Sequence, residues 1–269
     1  MKKRILVCYL FTKFDKLNQL KDFIKHYKKH PSGIKHKLLV CFKLIEKKRV
    51  VYLRRYFKNI KYIEFIDNSS TNDFDFGSYK RVSKSYLSYN ILFLNSHSYP
   101  ICSGWLRKLT DHLKQNTLIG ITASYESMIT SLRLKKFYKF FSYLLKLKKY
   151  KNFYKSFPNP HIRTSNFLIN GNDFYSFIKN KKIINKEDTW QIESGINGIT
   201  NFFKKKNYKI FVVNSDGKKF VESKWYSSET YNFLNQSKTI ISDKHSRKYL
   251  KLSKNEKTFS QEKVWGKII

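Results

Sequence analysis

The feature that most constrains this chain is a regular alternation in its first 122 residues. Short apolar runs at 5–11, 38–42, 62–66, 91–94 and 118–122 are separated by stretches patterned like helices. Asp15 is placed to cap the first helix, whose inner stripe is Leu17, Leu20, Ile24 and Tyr27 and which Pro31 and Gly33 stop. Further helices are expected over 46–57 and 78–89. Another is capped by Ser103, with Trp105, Leu106, Leu109 and Leu113 inward. Buried strands alternating with helices imply an α/β fold: a single Rossmann-like, mostly parallel sheet with helices on both faces and right-handed crossovers.

The second half is less regular. Residues 131–157 are aromatic and basic, with nine Lys or Arg and no acid. A strand is expected over 161–169, with Arg163, Thr164 and Asn166 set among apolar residues. A helix follows from about 172, and a second, starting near Asp188, carries Ile192, Ile196, Ile199 and Phe203. The run 208–213 is the last clear strand, closed by the Asp216-Gly217 turn. Beyond 221 the chain is polar and is expected to be an irregular segment lying across residues 1–220.

Charge narrows the partners. The chain has 55 basic and 19 acidic residues, a net +36, but 46 of the bases are Lys and only 9 are Arg. Nucleic-acid readers lean on Arg for bidentate contacts, so this balance argues against nucleic acid. Two readings stay open: attraction to an anionic membrane leaflet, or the lysine-rich usage of an AT-rich genome. Cys8, Cys41 and Cys102 are odd in number, far apart and without a CxxC, which argues against a disulfide framework and a zinc site. They read as buried thiols in a reducing compartment. The basic N-terminus imitates a signal peptide, but its apolar run is short and lacks a small-residue cleavage site, so it is expected to be a first strand. No apolar run reaches membrane-spanning length. A cytoplasmic location is expected, with peripheral contact at the inner membrane face through 132–157 as the further option.

Three polar clusters could carry chemistry. In the loop Asp73 to Arg81, Gly77 and Ser78 at a helix start would offer free N–H groups to an anion, with Lys80 and Arg81 adding charge. Asn95-Ser96-His97-Ser98 ends a buried strand abruptly, where open α/β sheets hold their ligands. Glu193 is a carboxylate in a mostly apolar helix of a base-rich chain, suited to general-base work. Glu187 and Asp188, by contrast, suit the positive end of a helix. If 132–157 is helical, Leu134, Phe137, Phe141, Leu144, Leu145 and Lys148 share one side. That side serves either as an interfacial face or as the inner face of a helix covering the sheet.

The succession DFGSYKR, YNILFLNSHSYPICSGWL, PHIRTSNFLI and IESGINGIT resembles a poorly characterised group of bacterial glycosyltransferase-like proteins of the A-type fold. These are similar to the large inverting family 2 of nucleotide-diphospho-sugar transferases and to rhamnan-synthesis-type enzymes. The resemblance covers roughly 1–250 and implies a catalytic domain over 1–220, with 221–269 packed on or near the active site. It implies donor contacts from Tyr9 and Thr12 at the end of the first strand. Asp67, Asp75, Gly77, Tyr79 and Arg81 follow from the third strand and the next helix start. Where such enzymes carry an Asp-x-Asp metal signature, this chain has Asn95-Ser96-His97. Asn95 and His97 are therefore the only candidate ligands for a divalent cation, Mn or Mg, and neutral side chains supply little charge to one. Three options stay open: Lys and Arg replace the metal, a metal binds weakly, or the protein no longer catalyses. His161 and Arg163 are expected to border the donor sugar, and Glu193 to be the base in a single displacement. The implied partners are a nucleotide-diphospho-sugar donor and a glycan or lipid-linked acceptor. The alternatives are a non-catalytic nucleotide-sugar or glycan binder and a polyanion-binding basic protein.

Overall fold

The structure is a computed structural model that describes residues 4–132 and 136–267. Its strands, in chain order, are β1 (Ile5–Thr12), β2 (Lys37–Lys43), β3 (Ile63–Asp67), β4 (Asn90–Leu94), β5 (Tyr99–Pro100) and β6 (Thr117–Gly120). There follow β7 (Ala123–Ser124), β8 (His161–Ile162), β9 (Asn166–Asn170), β10 (Lys209–Val213), β11 (Lys219–Phe220) and β12 (Ile241–Ser242). Eight of them form one sheet in the order β11-β10-β6-β9-β4-β1-β2-β3. β1, β2, β3 and β4 pair in parallel, as do β6 and β10, while β9 runs antiparallel between β4 and β6. The fold is thus an α/β, Rossmann-like, mostly parallel sheet.

β1 is apolar without alternation because both of its faces are covered. Val7, Tyr9 and Phe11 join a core with Leu20, Phe23 and Trp105 on one side. Leu6, Cys8 and Leu10 join another with Tyr79, Phe93 and Phe174. Cys8 and Cys41 are free and buried, and burial pushes both thiols well up from their usual range.

Several element boundaries differ from the sequence reading. Asp15 does not cap the first helix, Leu17–Lys29; Lys16 occupies that position. Ser103 is likewise displaced by Gly104, whose φ of +68° is open to glycine at little cost. The helix expected at 78–89 runs over Phe74–Ser85, so Gly77 is inside it. The strand expected over 161–169 breaks into β8 and β9, leaving 163–165 between them. The helix expected from Asp188 through Phe203 is two, Lys186–Ser194 and Ile199–Lys205, parted at Gly195–Gly198. The segment after 221 is not irregular throughout: it holds the helices Lys244–Leu250 and Lys254–Trp265.

One topological detail positions the site. Because β9 is antiparallel to β4, Leu94 lies opposite Asn166. The residues leaving β4 (95–98) and those entering β9 (163–165) therefore meet at the same sheet edge, and the Asn95 amide donates to the Ser165 carbonyl at 3.3 Å. β12 then pairs with β5, Ser242 opposite Tyr99, which delivers Asp243 to that edge as well.

Candidate active-site cleft

The tripeptide 163–165 organises the site. Arg163 is buried, and its Nη1 donates to Asp243 Oδ2 at 3.2 Å while its guanidinium stacks on the Tyr231 ring at 3.8 Å. Thr164 donates from its backbone at 2.8 Å, and from its hydroxyl, to Glu193 Oε2. Ser165 Oγ donates to Asp243 Oδ2 at 2.9 Å. Asp243 Oδ1 also accepts from the Ser246 amide at 2.7 Å, as the N-cap of its helix. Burial alone would push the Asp243 carboxyl up, but Arg163 and the Ser246 amide outweigh it and hold the carboxyl at about 2.

Above this tripeptide lies a cleft with two lobes. The smaller, 270 Å³, is lined by Asp75, Asn95, Thr164, Ser165 and Thr189, among others. The larger, 870 Å³, lies under the C-terminal helices and is lined by His161, Tyr231, Lys248, Tyr249 and Phe259, among others. Arg163, Lys186, Trp190, Glu193 and His245 line both, so Glu193 stands in the dividing wall. Both Thr164 bonds fall on Oε2. No hydrogen bond to Oε1 occurs among the described residues, which leaves it for a ligand hydroxyl. Asp75 makes no side-chain hydrogen bond or ion pair among the described residues. Burial, helped by the charge of Asp15, pushes its carboxyl up to about 6.

The remaining expected site residues divide. His161 lines the larger lobe; its Nδ1 lies 2.8 Å from the Asn159 carbonyl, and burial lowers its pKa. Tyr79 borders the smaller lobe, but its ring belongs to the core, 4.5 Å from Phe93. Tyr9, Thr12, Asp67, Gly77, Arg81, Ser96 and His97 line neither lobe. Tyr9 is a core residue stacked on Phe23, its hydroxyl donating to the Ser96 carbonyl at 2.9 Å. Ser96 Oγ donates to Asp15 Oδ1 at 2.6 Å, while Asp15 Oδ2 accepts from the Thr12 amide and hydroxyl. Arg81 grips Asp67 and Asp73, and Asp73 also takes buried Lys43, so these charges satisfy one another. The Gly77 amide is not free for an anion, since it donates to the Asp73 carbonyl. A Cβ on Gly77 would lie 1.9 Å from the Asp73 carboxyl carbon, so this glycine makes room for an ion pair.

Asn95 and His97 do not fit a divalent cation. Asn95 Oδ1 already accepts from the His97 amide at 3.1 Å and from Ser98 Oγ at 2.7 Å. The His97 ring faces Gln19 Nε2 at 3.0 Å. No group of three His, Cys, Asp or Glu among the described residues is arranged to hold a metal ion. The cations that reach the cleft are Arg163, Lys186, Lys248 and Lys263, the last paired with Glu126 at 2.8 Å.

Sequence reasoning missed Asp243, Tyr231 and Trp190, and gave Asp15 the wrong partner. The legible signal for Asp243 is its spacing to Ser246, a capping pattern in an otherwise polar tail. Asp15 joins the edge only through long-range contacts that local pattern does not carry.

No protein-family model matches the chain, and no curated protein matches it in sequence. Solved structures resemble it distantly. The apo form of the glycosyltransferase GlyE of Streptococcus pneumoniae TIGR4 aligns with 78% of this chain at 13% identity and a TM-score of 0.41. The mannosyltransferase PcManGT of Pyrobaculum calidifontis, in complex with GDP-Man and Mn2+, aligns with 63% at 7% identity and 0.40. The 4-diphosphocytidyl-2C-methyl-D-erythritol synthase of Anaerococcus prevotii DSM 20548 aligns with 78% at 13% identity and 0.42. The chain spans 45% of each of the two transferases and 88% of the synthase. None of these likenesses assigns an activity to this chain. No helix among the described residues is long and apolar enough to cross a membrane.

Proposed function

We propose that the chain is a glycosyltransferase of the A-type fold that moves a hexose from a nucleotide-diphospho-sugar to a glycan or lipid-linked acceptor in bacterial surface-polysaccharide synthesis. The observation that carries this reading is convergence: Asn95, leaving β4, and Glu193, from a distant helix, line one cleft at the carboxyl edge of the parallel strands. Ligands of open α/β sheets bind at that edge. The two lobes give room for two substrates on either side of one carboxylate.

In this reading the reaction is a single inverting displacement. Glu193 Oε1 takes the proton of an acceptor hydroxyl while Thr164 fixes Oε2. The acceptor oxygen attacks the anomeric carbon, and the bond to the nucleoside diphosphate breaks. The departing negative charge needs preorganised positive partners, and Arg163, Lys186 and Lys248 supply them without a metal site at Asn95 and His97. Glu193→Gln should keep donor binding and lose on the order of 10²–10⁴ in transfer rate. The assay is sugar release and transfer from radiolabelled nucleotide-sugars chosen by thermal shift, and an unimpaired Gln variant removes Glu193 from the role.

A second reading is nucleotide-sugar or glycan binding without transfer. The internal engagement of Asn95 and His97 favours it, because the position that carries metal ligands in the resembled enzymes is closed on itself here. Thermal stabilisation by a nucleotide-sugar with no turnover over hours would select this reading.

A further inference from the structure

The helix Phe140–Phe153 and the turn before it, Phe137–Lys139, are inverted relative to an ordinary surface helix. Of its fourteen residues only Tyr150 is buried. The apolar side chains that share the opposite side point away from the protein: Phe137 is 86% exposed, Phe141 79% and Leu145 71%, with Phe140 and Leu144 beside them. The stripe legible in the sequence therefore does not cover the sheet, and its member Leu134 lies outside the described residues.

The helix is firmly held on its inner side. Tyr150 donates to Glu187 Oε1 at 3.1 Å, Lys149 pairs with Glu187 at 2.7 Å, and the Ile196 amide donates to the Phe153 carbonyl. An apolar face kept outward by fixed contacts marks an interaction site. Its charge says what kind. Residues 136–155 contain seven lysines and no carboxylate. Lys146 and Lys149 pair with Glu187, while Lys136, Lys139, Lys148 and Lys151 have no ion-pair partner among the described residues. Lys148 lies on the same side as Phe141 and Leu145, where a long stem lies along apolar surface with its ammonium at a headgroup. A second copy of the chain would set these lysines against their own kind.

We infer that this face docks on an anionic bilayer leaflet, with Phe137, Phe141 and Leu145 entering the headgroup boundary and the lysines meeting lipid phosphates. The docked helix is joined through Glu187 to the helix that carries Lys186, Trp190 and Glu193, so the leaflet lies beside the cleft wall. Docking itself is independent of the sugar chemistry; only its use to meet a lipid-linked acceptor rests on the proposed transfer.

The test is co-sedimentation of the full chain with sucrose-loaded vesicles of phosphatidylcholine, with and without about one-third phosphatidylglycerol, at low and at physiological salt. The wild type should pellet with the anionic vesicles and release as salt rises. The triple variant Phe137→Ser, Phe141→Ser, Leu145→Ser keeps every charge and should partition on the order of 10–100-fold more weakly. Its melting temperature and its thermal shift with nucleotide-sugars should match the wild type, which separates failure of docking from failure of the transferase reading. Three outcomes overturn the inference. The wild type does not bind anionic vesicles at low salt; the triple variant binds as tightly, so charge alone acts; or ultracentrifugation shows a dimer that the triple variant abolishes.

Discussion

Asp243→Asn removes the charge that holds the cleft floor together. The asparagine's single carbonyl oxygen can still accept from the Ser246 amide, so what is lost is the negative charge facing buried Arg163 and, with it, the oxygen that accepts from Ser165 Oγ. A carboxyl held at about 2 rather than 3.8 contributes about 2.5 kcal/mol at neutral pH. Leaving the guanidinium uncompensated in a buried site adds to that, so about 3 kcal/mol is expected, within the range for breaking one side of a buried pair. For a chain of this size the melting temperature should fall by roughly 6–12 °C. The sign with pH follows from the depressed value. The contribution is complete above the unfolded carboxyl's range and is lost as pH falls towards 2. The gap between wild type and variant should therefore be flat from about pH 5 to 8 and should close below pH 4. Urea titrations at several pH values measure it directly. A variant as stable as wild type at pH 7, or a gap that persists undiminished at pH 3, refutes the account of Arg163 as a residue pinned by Asp243.

Gly77→Ala should destabilise the fold by on the order of 2 kcal/mol, because its methyl displaces a carboxylate that Lys43 and Arg81 both hold; unchanged urea stability would show that Asp73 can move freely. Asp75, with its carboxyl at about 6, adds negative charge to the smaller lobe as pH rises through that value. Under the proposed function, binding of a nucleotide-diphospho-sugar, whose diphosphate is esterified at both ends and keeps a constant charge in this range, should weaken by up to about 10-fold between pH 5 and 7. Asp75→Asn should flatten most of that slope, leaving only the share from His161 and His245, whose pKa values burial lowers. A calorimetric titration in which wild type and variant have equal slopes would dismiss Asp75 from the lobe's electrostatics.

The sheet was legible because β1, β2 and β4 are continuous apolar runs, a pattern that two covered faces require. Polar residues at strand ends and a lone carboxylate in an apolar helix were enough to bring Asn95 and Glu193 forward. The errors have a common cause. Gly77 reads locally as a helix boundary, but its reason is the Asp73 carboxylate packed against it. Asp15 reads locally as a cap, but its partners are Thr12 and the distant Ser96. Asp243 sits in a polar tail without hydrophobic period, and only the pairing of β12 with β5 brings it to Arg163. Residues whose roles arise from register between distant segments leave little trace in local spacing.

The break between β8 and β9 is a keystone of three residues. Through Arg163 it carries the C-terminal wall, through Thr164 the carboxylate in the partition, and through Ser165 both Asp243 and the backbone of Asn95. Substitutions in the outer walls can be tried one at a time, and their effects should largely sum. Changes within the tripeptide displace every wall together, so their effects should be strongly epistatic. Efforts to redirect the cleft to other ligands have far more latitude at Trp190, Tyr249 or Phe259 than at these three positions.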